Sequence, residues 1–149
     1  MEGDVLREVL ALSNSVRRIL SSINKEYGIS GAQIRCLHVV QRAEIDGGHI
    51  NQKELETIFN VQKSSMSELL SSMEEKNLIV RIPSETDNRI KNISLTEKGK
   101  RLSYLSYNDL ANIERKCTRL ISSEELEITK STLNKMKNIL EEGGLDKND

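Results

Sequence analysis

The sequence predicts a mainly α-helical chain that carries one small β-hairpin. Apolar residues recur at three- and four-residue steps over most of its length, which is the spacing of amphipathic helices. Between residues 78 and 95 the period changes to two, in β-branched segments that flank a polar run, and this pattern is typical of a hairpin with a long tip. A chain of 149 residues is long enough for one ordinary domain and too short for two, so residues 1–149 are expected to form a single domain.

The composition is that of a soluble protein, and we expect a cytoplasmic one. The first residues, MEGDVLREVL, have neither a basic leader nor an apolar signal core, and the apolar runs are far shorter than a membrane span. Cys36 and Cys117 form no CxxC pair, so neither a zinc site nor a disulfide scaffold is expected. Both occupy apolar positions and are expected to be buried structural thiols. The net charge of −1 is not that of a strongly basic nucleic-acid-binding protein, so DNA binding has to be argued from local pattern.

Four helices are expected before the hairpin. Periodicity and capping residues place them at residues 4–26, 30–43, 52–59 and 62–76. Ser30 is a favourable N-cap for the second helix, and Asn51 with Glu54 forms a capping pair at the start of the third. Asn77 is expected to take the left-handed conformation that ends the fourth helix. Apolar positions of the two short helices are predicted to be core: Leu55, Ile58, Phe59, Met66, Leu69, Leu70 and Met73.

Two long helices are expected after the hairpin. Thr96 caps the first of them, and Ser122 with Glu125 forms a capping box for the second, which is expected to end at the Gly143–Gly144 pair. Long helices with apolar stripes at both chain ends are poorly buried by a small central lobe. Pairing with a second copy of the chain would cover them.

Two short helices joined by a tight turn and followed by a hairpin are the element order of a winged helix-turn-helix. Three segments carry a closer resemblance: ISGAQIRCL, NQKELETIFNVQKSSMSELLSSMEEKNLIVR and DNRIKNISLTEKG. The last contains an Asp-x-Arg hairpin tip followed at a fixed distance by Leu-Thr-x-x-Gly. On these segments the chain resembles the MarR (multiple antibiotic resistance type) family of transcriptional regulators over nearly its whole length.

The resemblance implies an architecture and a function. Residues 30–95 would form the DNA-binding lobe, and residues 1–28 and 97–144 would supply dimerisation helices. A homodimer would bind a pseudo-palindromic operator in double-stranded DNA and act as a repressor by covering a promoter. The resemblance also implies a small effector, often an aromatic anion, held between the dimer helices and the lobes.

The fourth helix carries the residues expected to enter the major groove. Such a helix needs short polar side chains near its N-terminus, so that its backbone can approach the bases. Lys63 can reach a guanine edge or a phosphate, and the neighbouring hydroxyls can donate or accept hydrogen bonds: Ser64, Ser65 and Ser67. The alternative is that these serines only solvate an exposed helix face. Glu68 departs from the basic residue that many relatives carry there.

The hairpin tip carries Arg89, which on its own could be a solvated surface charge. The resemblance implies that it enters the DNA minor groove, where narrow A·T-rich sequence deepens the negative potential. Asp87 would orient Arg89 or tie the wing to the helix-turn-helix, while Arg81 and Lys91 would reach phosphates or stay solvated. Backbone contacts are also expected at the ends of the first short helix, from Gln52, Lys53 and Asn60.

The remaining polar residues form no catalytic or metal-binding motif. His38 and His49 have no second ligand at a suitable spacing, so we expect neither an enzyme nor a metal or other cofactor. Tyr27, Tyr104 and Tyr107 are expected either to line the effector cleft or to pack at the dimer interface. A second function stays open: a winged-helix dimer that acts through protein–protein contacts without specific DNA binding, in keeping with the near-neutral charge and Glu68.

Overall fold

The computed structural model describes residues 4–84, 87 and 89–142. That part of the chain contains six helices and three short strands. In chain order they are α1 (Asp4–Glu26), α2 (Gly31–Ile45), β1 (Ile50–Asn51), α3 (Gln52–Phe59), α4 (Lys63–Glu75), β2 (Ile79–Pro83), β3 (Lys91–Leu95), α5 (Glu97–Thr118) and α6 (Ser123–Glu142). The prediction of a mainly helical chain with a small hairpin is confirmed.

Two compact units make up the chain, and the boundary between them falls within α5. The first unit spans Met1–Leu110 and holds α1 to α4, the sheet and the N-terminal half of α5. The second spans Ala111–Asp149 and holds the rest of α5 and α6. The expected wing-tip residues Glu85, Thr86 and Asn88 and the expected helix end at Gly143–Gly144 lie outside the described residues. None of the helices in the described ranges is long and apolar enough to cross a membrane.

The sheet is antiparallel, with β3 between β1 and β2. Ile79 pairs with Leu95 at the base of the hairpin, and Ile93 pairs with both Arg81 and Ile50. Ile93 and Leu95 share the buried face, as their period of two predicts. The sequence did not reveal β1, because a two-residue strand is too short to show a period.

The core of the first unit lies between α2, α3, α4 and the sheet. Its side chains with no exposed surface come mainly from the helices: Cys36, Leu37, Val40, Leu55, Met66, Leu70 and Met73, together with Leu78. Phe59 and Leu69 are partly buried against this core. The prediction for Ile58 is wrong, because it is 46% exposed. The inward face of α3 is formed by Leu55 and Phe59 with the half-buried Gln52 and Glu56, and Ile58 lies beyond the edge of that face.

The two cysteines differ from each other. Cys36 is fully buried, as expected, and burial raises the pKa of its thiol to about 12. Cys117 is exposed, so the prediction of a buried thiol is wrong there. It lies on the part of α5 that belongs to the second unit.

A tight junction after α4 fixes the base of the hairpin. Asn77 adopts the left-handed conformation predicted for it, with φ of 55°. The Thr96 hydroxyl donates to the Asn77 carbonyl (2.7 Å) and accepts from the Gly99 amide (3.0 Å). A Cβ atom on Gly99 would lie 2.0 Å from the carbonyl oxygen of Leu78, so only glycine fits at this position of the Leu-Thr-x-x-Gly motif.

Replacing Gly99 with alanine is therefore expected to destabilise the protein. Relief of the clash needs a backbone shift between α5 and the start of β2, which typically costs about 1–3 kcal/mol. Urea denaturation would measure the change. Gly31→Ala is the matched control, because a Cβ there meets only the Asn24 side chain, at 3.7 Å. Equal stability of Gly99→Ala and Gly31→Ala would contradict the close approach.

Candidate nucleic-acid interface

The N-terminal turn of α4 is open to solvent. Lys63, Ser64 and Ser65 are exposed, and Ser67 is half-buried. The opposite face of the helix carries core residues, so the polar face points outward. The N-cap residue Gln62 makes no capping hydrogen bond through its side chain. The first amides of α4 can therefore bind an anion such as a phosphate.

The start of α3 is fixed by a capping box, as the sequence predicts. The Asn51 side chain accepts from the Glu54 amide at 3.1 Å, and the Glu54 carboxylate accepts from the Asn51 amide at 2.8 Å. Lys53 is exposed on the first turn. At the other end of α3, Asn60 is exposed and left-handed, with φ of 50°, and it turns the chain toward α4.

The described part of the wing shows what Asp87 contacts. Its carboxylate accepts from the backbone amide of Arg89 at 2.9 Å, and its carbonyl accepts from the Ile90 amide at 2.9 Å. Asp87 thus fixes the backbone that carries Arg89. The side chains of Arg89 and Lys91 are exposed.

A groove of about 350 Å³ lies between the start of α3 and the wing. It brings together four of the residues singled out from the sequence: Gln52, Lys53, Arg89 and Lys91. Arg81 lines the same groove, which gives it four basic side chains. Asn60 and the polar residues of α4 lie outside this groove. The candidate interface therefore consists of the groove and, separately, the open turn of α4.

Arg81 is placed differently from the expectation of a phosphate contact or a solvated charge. Its Nε donates to the Glu74 carboxylate at 2.9 Å, and its Nη1 donates to the Gln52 side chain at 3.3 Å. Only 22% of its side chain is exposed. The sequence period of two could have indicated this partial burial, because Arg81 falls on the same strand face as the buried Ile79.

The C-terminal end of α4 is fastened to the junction between α1 and α2. The buried Gln33 donates to the Ser72 hydroxyl at 3.0 Å. The Lys76 ammonium donates to the Gln33 side chain at 3.1 Å and to the Gly28 carbonyl at 2.9 Å. Sequence periodicity does not reveal this polar link, because its members come from three separate segments.

A second, larger cleft of about 1050 Å³ lies within the first unit, lined by residues of α1, α2 and α5. Its walls are mainly apolar, and Arg17, Arg35, His38 and Ser106 add polar groups. His38 Nε2 lies 2.8 Å from the Ser106 hydroxyl, and burial lowers the pKa of the imidazole below 6.5.

The three tyrosines are not among the residues that line this cleft. Tyr27 donates to the Asp109 carboxylate at 2.5 Å, which raises the pKa of the phenol. Tyr104 and Tyr107 are each 63% exposed. Tyr107 packs edge-on against His38, with ring centroids 6.1 Å apart.

The fold and the interface define a winged-helix protein. A sequence model of the MarR family matches residues 27–90, which run from the junction after α1 to the described tip of the wing. Through this segment the chain is similar to the MarR family. No curated protein has a sequence that matches the chain.

Solved structures of regulators share the fold. In the MepR–DNA complex from S. aureus, MepR is 24% identical over 91% of this chain and 96% of that chain, with a TM-score of 0.77. The MarR protein from Peptoclostridium difficile DA00132 is 22% identical over 95% of this chain and 90% of that chain, also with a TM-score of 0.77. The reduced form of MarR from E. coli is 20% identical over 89% of this chain and 95% of that chain, with a TM-score of 0.72. At these identities the likeness establishes the fold, which is that of MarR transcription regulators.

The burial of His38 predicts how stability depends on pH. Because the pKa of His38 is lowered below 6.5 in the folded state, the unfolded chain binds a proton more readily. The contribution of the neutral His38 imidazole to the stability of the folded state is fully present above pH 6.5. This contribution is lost as the pH falls through the folded-state pKa. As the pH falls, the unfolding free energy of the wild type should therefore decrease relative to that of His38→Gln. His49→Gln, at an exposed position, is the control, and the same shift in both variants would contradict the assignment.

Proposed function

We propose that the protein is a sequence-specific DNA-binding transcriptional regulator. In this proposal it is a cytoplasmic homodimer that binds a pseudo-palindromic operator in double-stranded DNA and represses by covering a promoter. The observation that carries the proposal is the pairing of an outward-facing, uncapped N-terminal turn of α4 with a basic groove beside the wing. The family and fold are those of transcription regulators, and the structure of MepR with DNA supports the same use of the fold here.

In the proposed complex α4 lies in the major groove. Its exposed Lys63, Ser64 and Ser65 face base edges, and Ser67 contributes from the half-buried flank. The open amides of the first turn face a phosphate. Side chains this short let the helix backbone come close to the bases, which a turn of long side chains would prevent.

The wing and the start of α3 hold the DNA backbone. Arg89 enters the minor groove next to the α4 site, while Lys53 and Lys91 bind phosphates from opposite sides of the basic groove. Gln52 and Asn60 approach the backbone at the two ends of α3. Because these basic groups are clustered, local affinity for DNA does not require a strongly basic chain.

The homodimer is proposed to form through residues 1–28 and 97–144. The helices in these ranges expose large apolar side chains, including Leu6 and Leu10 on α1 and Ile128 and Ile139 on α6, each more than half exposed. Exposed apolar surface of this kind marks an interaction site. A twofold dimer would also match a pseudo-palindromic operator.

A small aromatic or anionic effector is proposed to bind the large cleft in the first unit. Apolar walls would hold a ring, and Arg17 and Arg35 would hold a negative charge. Arg35 also stacks on Phe59, 4.4 Å from the ring centroid, and donates to the Ile58 carbonyl at the end of α3. An anion that drew Arg35 away would release this contact just before α4.

Removing the wing arginine should weaken DNA binding. Arg89→Ala is expected to cost roughly 1–3 kcal/mol of binding free energy, and Lys63→Ala is expected to lower the affinity and reduce the salt slope by about 1. Titrations against the DNA upstream of the protein's own gene, over a range of salt concentrations, would measure both. Lys130→Ala removes the same charge from α6 and should leave binding unchanged.

The same titration tests the alternative. A wild-type protein that shows no preference for this DNA over random DNA, even at low salt, would argue against the regulator and favour a winged-helix dimer that acts through protein contacts. The exposed Glu68 on α4 is the feature that fits this second function, because an unpaired carboxylate is repelled by DNA.

The dimer has its own test. Sedimentation should give a mass about twice the 16.9 kDa of one chain. Ile128→Glu with Ile139→Glu places two charges on the apolar face of α6 and should shift the protein toward the monomer. Ser131→Glu with Asn134→Glu adds the same charges at exposed polar positions of α6 and should leave the dimer intact. A wild-type monomer at micromolar concentration would contradict the proposal.

A further inference from the structure

We propose that Arg81 is a positioning residue, which holds the wing in register with α4 through Glu74 and Gln52 and does not itself contact DNA. This inference rests on the proposed DNA-binding function. It concerns a residue that lines the basic groove, where an arginine would ordinarily be assigned to a phosphate.

The guanidinium of Arg81 joins three elements. Arg81 is the central residue of β2, an edge strand that pairs with β3 alone. Its Nε reaches Glu74 in the last turn of α4 at 2.9 Å, and its Nη1 reaches Gln52 in the first turn of α3 at 3.3 Å. No other side chain in the described ranges is shown bonding β2 to both helices of the helix-turn-helix.

Gln52, one of the two partners of Arg81, is itself held by a further hydrogen bond. Gln52 donates to the Glu56 carboxylate at 3.0 Å, which orients its amide oxygen toward Arg81. Glu74 lies next to Met73, a fully buried core residue of α4. Only 22% of the Arg81 side chain is exposed, against 37% of the Glu74 side chain. Water therefore competes less for this charge-assisted hydrogen bond than for an ion pair between two fully exposed groups.

The position of Arg81 in the sheet carries this constraint to the wing. Arg81 pairs with the buried Ile93 on β3, and Pro83 pairs with Lys91 near the tip. Fixing Arg81 against α4 and α3 therefore fixes the strand pair that leads to Arg89. The distance between the wing arginine and the α4 residues, which has to match the spacing of the grooves, depends on that contact.

The two interpretations of Arg81 predict opposite effects of Glu74→Gln on the affinity for DNA. If Arg81 binds a phosphate, removing the Glu74 charge frees the guanidinium and removes a repulsion, so DNA binding should tighten. If Arg81 positions the wing, losing Glu74 loosens it, so binding should weaken although a negative charge has been removed. Glu75→Gln, at an exposed neighbouring carboxylate on α4, controls for the charge alone.

The experiment compares wild type, Glu74→Gln, Arg81→Met, their double variant and Glu75→Gln, titrated with the DNA upstream of the protein's own gene. We expect each single variant to bind about tenfold more weakly, with the double variant no weaker than either, since contacting residues are not additive. Glu75→Gln should bind as wild type or more tightly. Tighter binding by Glu74→Gln, with Arg81→Met reducing the salt slope by about one phosphate contact, would overturn the proposal.

Two further variants separate positioning from loss of folding. The exchanged pair Arg81→Glu with Glu74→Arg keeps the net charge and should recover most of the lost affinity; no recovery would count against the proposal. The Arg89→Ala substitution should reduce the affinity for DNA by a smaller factor in the Arg81→Met background than in the wild type. An Arg89 that is already displaced contributes little to binding. If the wild type shows no preference over random DNA, the proposed function has failed; if it shows preference and Glu74→Gln does not weaken it, only the role of Arg81 has failed.

Discussion

The carbonyl of Leu78 occupies the space where a side chain on Gly99 would have to lie, and the lobe depends on this close approach. The same carbonyl accepts from the Thr96 amide at 3.1 Å, while the Lys98 ammonium donates to the Lys76 carbonyl at 2.8 Å. The end of α4, the start of β2, the end of β3 and the start of α5 are therefore joined at one point. Since both strands of the hairpin leave from this junction, the direction of the wing is set at its base.

The contacts that hold α4 are concentrated at its C-terminal end. Gln33 and Lys76 tie that end to the junction between α1 and α2, and Arg81 ties Glu74 to the sheet. The N-terminal turn, from Lys63 onward, stays open. A helix anchored at one end and exposed at the other suits recognition, because the reading face is held rigidly and still has room to approach a groove. The anchor at Gln33 also adjoins the large cleft, whose lining includes Ser30 and Ile34.

Most of the fold could be predicted because each element carries local signals. The capping boxes, the left-handed Asn77 and the change of period from 3.6 to two depend on neighbours in sequence. The failures depend on neighbours in space: Ile58 and Cys117 occupy apolar positions that are exposed among the described residues, and β1 forms because Ile50 pairs with Ile93. The candidate site divides in the same way. Residue types and the family motif indicated Arg89 and the start of α4, whereas the contacts of Arg81 with Glu74 and Gln52 join segments too far apart for a pattern to connect.

The two lobes of the proposed homodimer read DNA together, and a selection of bound fragments from random-sequence DNA would show whether they do. The purified protein, taken through several rounds of binding and amplification, should enrich an imperfect inverted repeat. Its half-sites should be centred about one helical turn apart, roughly 10 base pairs, or a multiple of that spacing. An enriched pool without twofold symmetry would contradict the dimeric arrangement, and a pool with no enriched sequence would contradict sequence-specific recognition altogether.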